Sequence, residues 1–507
     1  MDDTVGPDRR TVMVAAAALA SASGVAVARI PEIVRMDARA LSAAIAARKL
    51  SCAEVMTAYL DHIAAINPKV NAIVALQDRD GLLAQARERD AQLARGQNLG
   101  PLHGFPHAVK DLQPVKGIRS TSGSPILKDF IPTHDSLVVE RMRGAGAIFI
   151  GKTNVPEFGL GSHTYNPVYG ATHNAYDQSK SAGGSSGGAA VSLALRMLPL
   201  ADGTDFGGSL RNPAGWNNVF GFRTSFGVVP AEGADVWQPG MSVAGPMARG
   251  VSDLALLLSV QAGYDARAPL SLDGEGRRFL APLGADFKGT RIGWLGDLGG
   301  FAPYEAGVLD VCRGALKSFE SLGCNLEEVV PDHPLEAVWQ AFIRLRAWQQ
   351  SSGLSGYYAD PGKRALLKPE AVWEIETAAK LSASGITTSS VVRTAWSNAV
   401  AALLRRYDFL VMPTAQLFPF DIGETWPHEI AGQTMQTYHE WMKAVCLITM
   451  SGCPSLAVPA GFGAQGLPMG LQIIAPNHHE LDCLKLGFAY EQATEWTARR
   501  LPPLLRA

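Results

Sequence analysis

Apolar residues follow two different spacings along this chain, and the two spacings alternate. Ser51–Glu54 has the Ser-x-x-Glu pattern that begins a helix, and apolar residues recur on one side of the following segment, at Val55, Tyr59, Ile63 and Ile66. Ser136–Gly144 predicts another helix, and Ala147–Ile150 predicts a strand after it. Helices that alternate with strands favour a layered α/β fold, in which a sheet is covered by helices on both faces.

The composition is that of a large globular protein. The 507 residues are 47% hydrophobic and 18% charged, and the formal net charge is −2. The length alone allows one to three domains, but the motifs span almost the whole chain and favour one. A charge this close to zero gives no case for nucleic-acid binding.

Two glycine-rich segments each contain a serine that the backbone can present. The segments are Gly183–Gly188 (GGSSGG) and Gly203–Ser209 (GTDFGGS), and Ser185 and Ser209 stand 24 residues apart. Glycine adopts positive φ readily and lets the backbone approach a bound group closely. A serine flanked in this way has free N–H groups beside it, so the pattern suits acyl transfer, which needs a nucleophile and an oxyanion hole.

A flexible linker and a phosphate-binding loop are the alternative interpretations of these glycines. Ala189–Leu200 follows the first segment directly, is apolar and alanine-rich, and predicts a buried helix, whereas linkers do not lie inside a core. The chain has neither the Gly-Lys-Ser/Thr end of a P-loop nor a G-x-G-x-x-G after a strand. Both alternatives are therefore weaker than the nucleophile interpretation.

A lysine upstream supplies a candidate base. Gly104–Asp111 predicts a short apolar strand that ends near Lys110, which precedes Ser185 by 75 residues. A lone lysine is usually a solvated surface group. One that ends an apolar strand is a candidate for burial, and burial favours the neutral amine, which can act as a general base.

Lys110 and the two glycine-serine segments together resemble the amidase signature family, whose enzymes use a Ser–Ser–Lys triad. Further segments resemble that family's strands and substrate-side loop: Gly151–Phe158, Ser242–Arg249, Asp408–Thr414, Val458–Phe462 and Gly466–Gln472. The resemblance runs from about Ile33 to about Thr494. It implies one large α/β/α layered domain around a mixed central sheet, within residues 29–507, and hydrolysis of a carboxylic amide.

The resemblance also implies a role for individual residues. Ser209 resembles the acylated nucleophile, Ser185 the bridging serine, and Lys110 the neutral base. Gly184, whose peptide bond to the bridging serine is cis in relatives, and Phe158 are implied to contact the substrate. The oxyanion hole is implied at the backbone N–H groups of Phe206, Gly207 and Gly208. No cofactor and no metal are implied.

Some positions leave the roles open or depart from the family. Ser186 competes with Ser185 for the bridging role, although the spacing of 24 residues favours Ser185. Asp205 and Arg211 flank the nucleophile, and we interpret them as a structural ion pair. Relatives commonly have Gly-Leu-Lys-Pro-Thr where this chain has Gly221–Ser225 (GFRTS), and they often carry Ile or Thr at Phe206. These departures concern the substrate and leave the triad unchanged.

The aromatic residues of 340–400 and 416–440 bear on the substrate. These two segments match the family least, and together with their flanks they contain Trp348, Tyr357, Tyr358, Trp426, Tyr438 and Trp441. They are either walls of a substrate pocket or ordinary helix packing. With Phe158 and Phe206, they favour amides of aromatic or medium-chain aliphatic acids over free glutamine.

The cysteines and histidines give no metal pattern. None of the six cysteines is in C-x-x-C or beside histidines at ligand spacing, so we interpret them as mostly buried thiols. His478 and His479 are an isolated pair that favours the surface. His103 and His107 have helical ligand spacing, but Gly104 and a proline between them make a helix improbable.

Other functions and partners stay open. The alternatives are the glutaminase-like component of a tRNA-dependent amidotransferase, an ester or carbamate hydrolase of the same family, and a binding protein on an inactive amidase fold. The intact Lys110, Ser185 and Ser209 argue against the last. We expect a small-molecule amide as partner, with no nucleic acid and no stable membrane insertion, and homodimer formation stays open.

The N-terminus differs in kind. Arg9-Arg10 precedes an alanine-rich, moderately apolar run that ends in Ala26-Val27-Ala28, and this resembles a twin-arginine export signal with an A-x-A cleavage site. Its moderate hydrophobicity disfavours a permanent membrane span. We therefore predict that 1–28 directs export to the periplasm or medium. The alternative is a disordered tail of a cytoplasmic protein, which Asp2, Asp3 and Asp8 favour.

Overall fold

An eight-stranded mixed sheet forms the centre of the protein in a computed structural model, which describes residues 31–506 except 234, 239 and 275. The predicted export segment, 1–28, lies outside the described residues. The described strands are β1 Ile73–Val74, β2 Pro106–Lys110, β3 Ile148–Thr153, β4 Tyr165–Asn166, β5 Gly170–Ala171, β6 Ala201–Asp205, β7 Phe220–Arg223, β8 Val243–Ala248, β9 Arg291–Trp294, β10 Asn325–Glu328, β11 Phe409–Pro413, β12 Glu429–Ile430, β13 Gln433–Thr434, β14 Ser455–Phe462 and β15 Pro468–Ile474.

The large sheet has the strand order β10-β9-β11-β15-β14-β7-β8-β6. β9 pairs in parallel with β10 and β11, and the remaining pairs from β11 to β6 are antiparallel. A second sheet has the order β1-β3-β2, in which β2 and β3 are parallel. The strands β7, β8, β11 and β15 are buried throughout, as expected for strands covered on both faces.

Helices separate most of the strands and pack against both sheets. The α-helices of the described residues are α1 Glu32–Arg35, α2 Ala38–Ala46, α3 Cys52–Ile66, α4 Arg79–Ala94, α5 Leu137–Gly144, α6 Gly187–Ala194, α7 Arg211–Trp216, α8 Val251–Gln261, α9 Val308–Ser321, α10 Leu335–Ala359, α11 Pro361–Arg364, α12 Pro369–Ala378, α13 Ala383–Arg406, α14 Lys443–Ser451, α15 Glu480–Thr494 and α16 Trp496–Arg499. Short 3₁₀ turns lie at Asn67–Lys69, Pro125–Leu127, Glu157–Gly159, Gly276–Leu280, Glu440–Met442 and Pro503–Leu505. The predicted layered α/β fold with a mixed central sheet is confirmed.

The local predictions hold where their signals are strong. Ser51 accepts a hydrogen bond from the Glu54 N–H while the Glu54 carboxylate accepts from the Ser51 N–H, which is the predicted capping box of α3. The helix predicted over Ala189–Leu200 is correct in place and burial but wrong in length, because α6 ends at Ala194. Arg196 takes a left-handed φ of 59°, and the apolar residues that follow it stay buried outside the helix.

A single side chain joins the two sheets near the site. Asp202 lies on β6, and its carboxylate accepts hydrogen bonds from the Lys110 backbone N–H, 3.2 and 3.3 Å to its two oxygens, and contacts His107 Nε2 at 3.0 Å. Asp202 and both partners on β2 are buried. The carboxylate thus replaces a strand-to-strand ladder between β2 and β6, and it fixes the position at which Lys110 leaves its strand.

Two further findings concern predicted properties of the whole chain. All six cysteines are buried and free, as the thiol interpretation expects. Among the helices of residues 31–506 that the structure describes, none has both the length and the apolar character needed to cross a bilayer.

Candidate active site

Lys110 is completely buried at the end of β2, within reach of four oxygen atoms. Its Nζ lies 2.8 Å from the Oγ atoms of Ser185 and Ser186, 2.8 Å from Thr204 Oγ1 and 3.1 Å from the Thr204 carbonyl oxygen. The structure therefore brings the predicted base and the predicted bridging serine together. It places Ser186 as close to the amine as Ser185.

The surroundings of Nζ fit a neutral amine. The Thr204 carbonyl can only accept, so it takes one of the two N–H groups of a neutral amine, and a hydroxyl oxygen can take the second. The lone pair is then left to accept a hydrogen bond from one of the serine hydroxyls. Burial lowers the pKa of Lys110 to about 7, although the carboxylates of Asp202 and Asp205 act in the opposite direction.

Asp205, at the end of β6, folds the loop that carries Ser209. Its Oδ1 accepts from the Gly208 N–H at 2.9 Å, and its Oδ2 accepts from the Leu210 N–H at 3.0 Å. The carboxylate also contacts Arg211 at 3.0 Å and Arg223 at 3.2 Å. Burial would raise the pKa of Asp205, but the two arginines hold it well below its usual range. The loop is therefore wrapped around a permanent anion.

Arg211 is the better satisfied of the two cations. In addition to its two bonds with Asp205, Nη1 donates to Val445 O and Gln472 Oε1, both at 2.9 Å, and Nη2 donates to Thr449 Oγ1 at 2.8 Å. All five N–H groups of this fully buried side chain are thus used. The sequence-based interpretation of Asp205 and Arg211 as a structural ion pair is confirmed.

The loop leaves some of its backbone N–H groups free. No acceptor among the described residues binds the N–H of Phe206, Gly207 or Ser209, whereas the Gly208 N–H is engaged by Asp205. Of the three predicted oxyanion donors, two are therefore open in this structure, and the N–H of Ser209 itself is open beside them. The Ser209 side chain is 5% exposed.

The loop that carries Ser185 lies against the Ser209 loop and a second glycine turn. The Gly184–Ser185 peptide bond is cis, as the family resemblance implies, and the Gly184 N–H donates to Asn212 Oδ1 at 3.1 Å. The Ser186 N–H donates to the Ser209 carbonyl at 3.2 Å. On the other side lies Gly159, where a Cβ would come within 3.4 Å of Ser185 Oγ.

Phe158 belongs to a small apolar cluster separate from the main core. Its ring stacks on Tyr357 with centroids 5.8 Å apart, and its backbone has a left-handed φ of 51°. We call this group the side cluster, and its other members are Ile126, Leu160, Leu354, Tyr358, Leu367, Ala371, Val372 and Ile375. The cluster begins one residue from Gly159, so it adjoins the bridging serine.

The remaining aromatic residues of the least family-like segments divide between core and site. Trp441 is fully buried and stacks on Trp216 at 5.5 Å, which is ordinary core packing. Tyr357 and Tyr358 belong to the side cluster. Tyr438 is buried in a polar network described with Phe206 below.

The histidines make ordinary structural contacts. His103 and His107 are buried and do not share a helix, as predicted, and His479 is an exposed partner of Asp482 at 2.8 Å. Among the residues described, no group of three or more His, Cys, Asp or Glu side chains is placed to hold a metal ion.

Sequence reasoning missed three residues that shape the site. Thr204 contacts the lysine amine through two oxygens, and Asp202 fixes its backbone. The two residues alternate on β6, so their common face was available as a signal once β6 was recognised as a strand. Gly159 adjoins a motif that resembles the family, but only the folded chain shows that it faces Ser185.

A buried lysine bonded to paired serines, beside a second serine in a loop with open N–H groups, defines a serine-dependent hydrolase of amide bonds. The chain belongs to the Amidase family, whose model matches residues 54–484. The fold agrees with that of a bacterial aryl acylamidase of the amidase signature family, with a TM-score of 0.86, 29% identity, and coverage of 91% of this chain and 97% of that one.

Relatives with different names share this sequence. An acylamidase of Rhodococcus erythropolis is 33% identical over 468 residues, which is 92% of this chain and 97% of that protein. A glutamyl-tRNA(Gln) amidotransferase subunit of Acidothermus cellulolyticus is 35% identical over 496 residues, which is 93% of this chain and 96% of that protein. Identity alone therefore does not separate the two activities.

We predict that Gly208→Ala abolishes activity. Gly208 has a φ of 98°, and a Cβ there would lie 2.5 Å from Val445 Cγ2, so the loop must shift and carry Ser209 with it. Steady-state hydrolysis should fall at least about 100-fold, on the scale of losing an oxyanion donor. Gly233→Ala is the matched control, because nothing lies within 4 Å of its Cβ position. Equal activity of the two variants would contradict the assignment of this loop.

Proposed function

We propose that this enzyme hydrolyses carboxylic amides through an acyl-enzyme on Ser209, with Ser185 and Lys110 as the proton relay. The observation that carries the proposal is the buried Lys110 amine, 2.8 Å from Ser185 Oγ, with its pKa lowered to about 7. An amine in this state can accept a proton at neutral pH without a histidine, which gives it the role that histidine has in a Ser-His-Asp triad.

The relay accounts for both half-reactions. Neutral Lys110 accepts the proton of Ser185 as Ser185 accepts that of Ser209, whose Oγ attacks the amide carbonyl carbon. The protonated lysine then returns a proton through Ser185 to the leaving nitrogen, and the C–N bond breaks. Water attacks the Ser209 ester by the same relay in reverse and releases the carboxylate.

The oxyanion binds to the open N–H groups of the Ser209 loop. Phe206 and Gly207 keep the donor role that the family implies, and the N–H of Ser209 is a further candidate because it has no acceptor among the described residues. The N–H of Gly208 instead holds Asp205, so its contribution is to the shape of the loop. Such preorganised donors are worth a few kcal/mol each.

The acyl group binds against the side cluster. Phe158 and Leu160 flank Gly159, which faces Ser185, and this wall is apolar. Phe206 provides a second aromatic surface at the nucleophile loop. The names of the similar acylamidase and aryl acylamidase agree with amides of aromatic or medium-chain aliphatic acids, rather than free glutamine, as substrates.

We predict that Ser209→Ala and Lys110→Ala each abolish hydrolysis while the circular dichroism spectrum stays that of the wild type. Ser185→Ala should be severely impaired but retain a trace, because a water can replace the bridging hydroxyl. Hydroxylamine added to a turning-over reaction should give a hydroxamate, since it intercepts the Ser209 ester. Near-normal rates for Ser209→Ala would exclude the mechanism, and dialysis against chelator should leave the rate unchanged.

We predict an acid limb in kcat/KM with a midpoint near the lowered Lys110 pKa of about 7. Protonation of the base removes its lone pair, so activity is lost below the midpoint and rises towards a plateau at alkaline pH. Asp202→Asn should move this limb to lower pH, because the Asp202 carboxylate raises the Lys110 pKa and asparagine still accepts the Lys110 N–H. A limb that moves to higher pH in this variant would contradict the assignment of the base.

We predict that kcat/KM rises with acyl size for linear and aryl amides until the pocket is full, at about 25 cal/mol per Å² of apolar area. Phe158→Ala should lower kcat/KM about tenfold for the best aromatic substrate and leave acetamide nearly unaffected, since acetamide has too little apolar area to reach the ring. Val391→Ala, a change at an exposed apolar side chain, is the control. A preference for glutamine, or a need for partner proteins, would favour the amidotransferase alternative.

We also propose that residues 1–28 direct export by the twin-arginine route, on the strength of Arg9-Arg10 and the Ala26-Val27-Ala28 end of the segment. Fusion of this segment to a reporter should place the reporter in the periplasm or medium. Arg9→Lys combined with Arg10→Lys should retain it in the cytoplasm. An equal distribution of both fusions would contradict the proposal.

A further inference from the structure

Phe206, the first residue after β6, packs against a buried cation. The guanidinium of Arg346 lies over its ring, 4.8 Å from the centroid, and the ring of Phe342 meets it edge-on at 6.3 Å. Both residues come from α10, in a segment that matches the family least. Arg346 is 5% exposed, so its contact with the ring is largely shielded from water, where a cation–π contact is strongest.

One carboxylate oxygen holds this arginine in place. Glu374 Oε1 accepts from Arg346 Nε at 2.7 Å, lies 3.0 Å from His439 Nε2, and accepts from the hydroxyl of Tyr438. Arg346 Nη2 also donates to the Tyr438 hydroxyl at 3.3 Å. We call Arg346, Glu374, Tyr438 and His439 the arginine clamp. Its members come from α10, α12 and the segment before α14.

The clamp is ionised although it is fully inside the protein. Burial would raise the pKa of Glu374, but Arg346 and His439 hold it below its usual range. A buried ion pair contributes little net stability compared with apolar residues of the same size. The clamp therefore needs a reason other than stability, and the only part of the candidate site that it contacts among the described residues is Phe206.

Geometry also connects the clamp to the reaction. The Phe206 N–H is one of the open donors of the Ser209 loop, three residues from the nucleophile. The loop is tied at its far end by Asp205, Arg211 and Gly208, whereas the side chain of Phe206 is held by packing alone. An oxyanion donor acts at full strength only if its direction is fixed before the reaction.

We propose that Arg346, held by Glu374, Tyr438 and His439, is a positioning residue that fixes the Phe206 ring and thereby aims the Phe206 N–H at the oxyanion. The inference rests on the proposed function, because it assigns no chemistry of its own to the clamp. It adds a specificity element as well, since the same ring lines the substrate side of the loop.

A double-mutant cycle between Arg346 and Phe206 tests the inference. Arg346→Met should lower kcat about 10- to 100-fold, on the scale of a misaimed oxyanion donor, with KM changed less than about threefold. In a Phe206→Leu background the same substitution should cost less than about threefold, because its target is gone. Arg344→Met, at an exposed position of the same helix, is the matched control and should keep wild-type rates.

A second variant covers the case in which Arg346→Met fails to fold. Tyr438→Phe removes only the hydroxyl that Glu374 and Arg346 share, so it loosens the clamp without leaving a buried charge unpaired. It should lower kcat about 3- to 10-fold, again only when Phe206 is present. Glu376→Gln, on the exposed face of α12, is its control.

The outcomes separate the two proposals. Losses that multiply independently of Phe206, or that fall on KM alone, would overturn the positioning role. If instead wild-type protein forms no hydroxamate and Ser209→Ala keeps its rate, the proposed function fails, and the positioning role that rests on it fails with it. Affinity for an aldehyde or boronic acid that adds to Ser209 should fall in parallel with kcat, while affinity for the product carboxylate should not.

Discussion

The Asp205 carboxylate is the interaction on which the site depends. It is buried at the end of β6 and accepts from two backbone N–H groups and two arginines, so it determines both where the strand stops and how the next five residues turn. Because Arg211 in turn reaches α14 and β15, the shape of the nucleophile loop is set by the middle of the large sheet. A flexible glycine loop is thus made rigid by one fully satisfied anion.

Helix α12 connects the two walls of the site in a way that neither wall shows alone. Glu374, on this helix, reaches Phe206 through Arg346, while Lys368 and Glu370 at its start contact each other at 3.4 Å and Lys368 donates to the Leu160 carbonyl. Ala371 and Ile375 pack in the side cluster. One short helix from the least family-like part of the chain therefore touches both surfaces that the acyl group meets, which is consistent with variation of substrate on a constant relay.

The sequence predicted the parts of this protein that depend on local patterns. The glycine-serine segments, the apolar strand before Lys110 and the capping box at Ser51 are short-range signals, and each is where it was expected. The end of α6 was misjudged because apolar character continues past Ala194 while the helix does not. The roles of Thr204, Asp202 and the arginine clamp depend on contacts between distant segments. Periodicity carries no information about such contacts.

The joint between the two sheets has a consequence for how the protein fails. The base belongs to the three-stranded sheet and the nucleophile to the eight-stranded one, and across this joint Asp202 stands in for a ladder of backbone hydrogen bonds. A small parting there would separate the lysine from its partners while each sheet kept its own pairing. Inactivation and melting are then two different events in this molecule, and heat or mild denaturant would silence the enzyme while most of its structure persists.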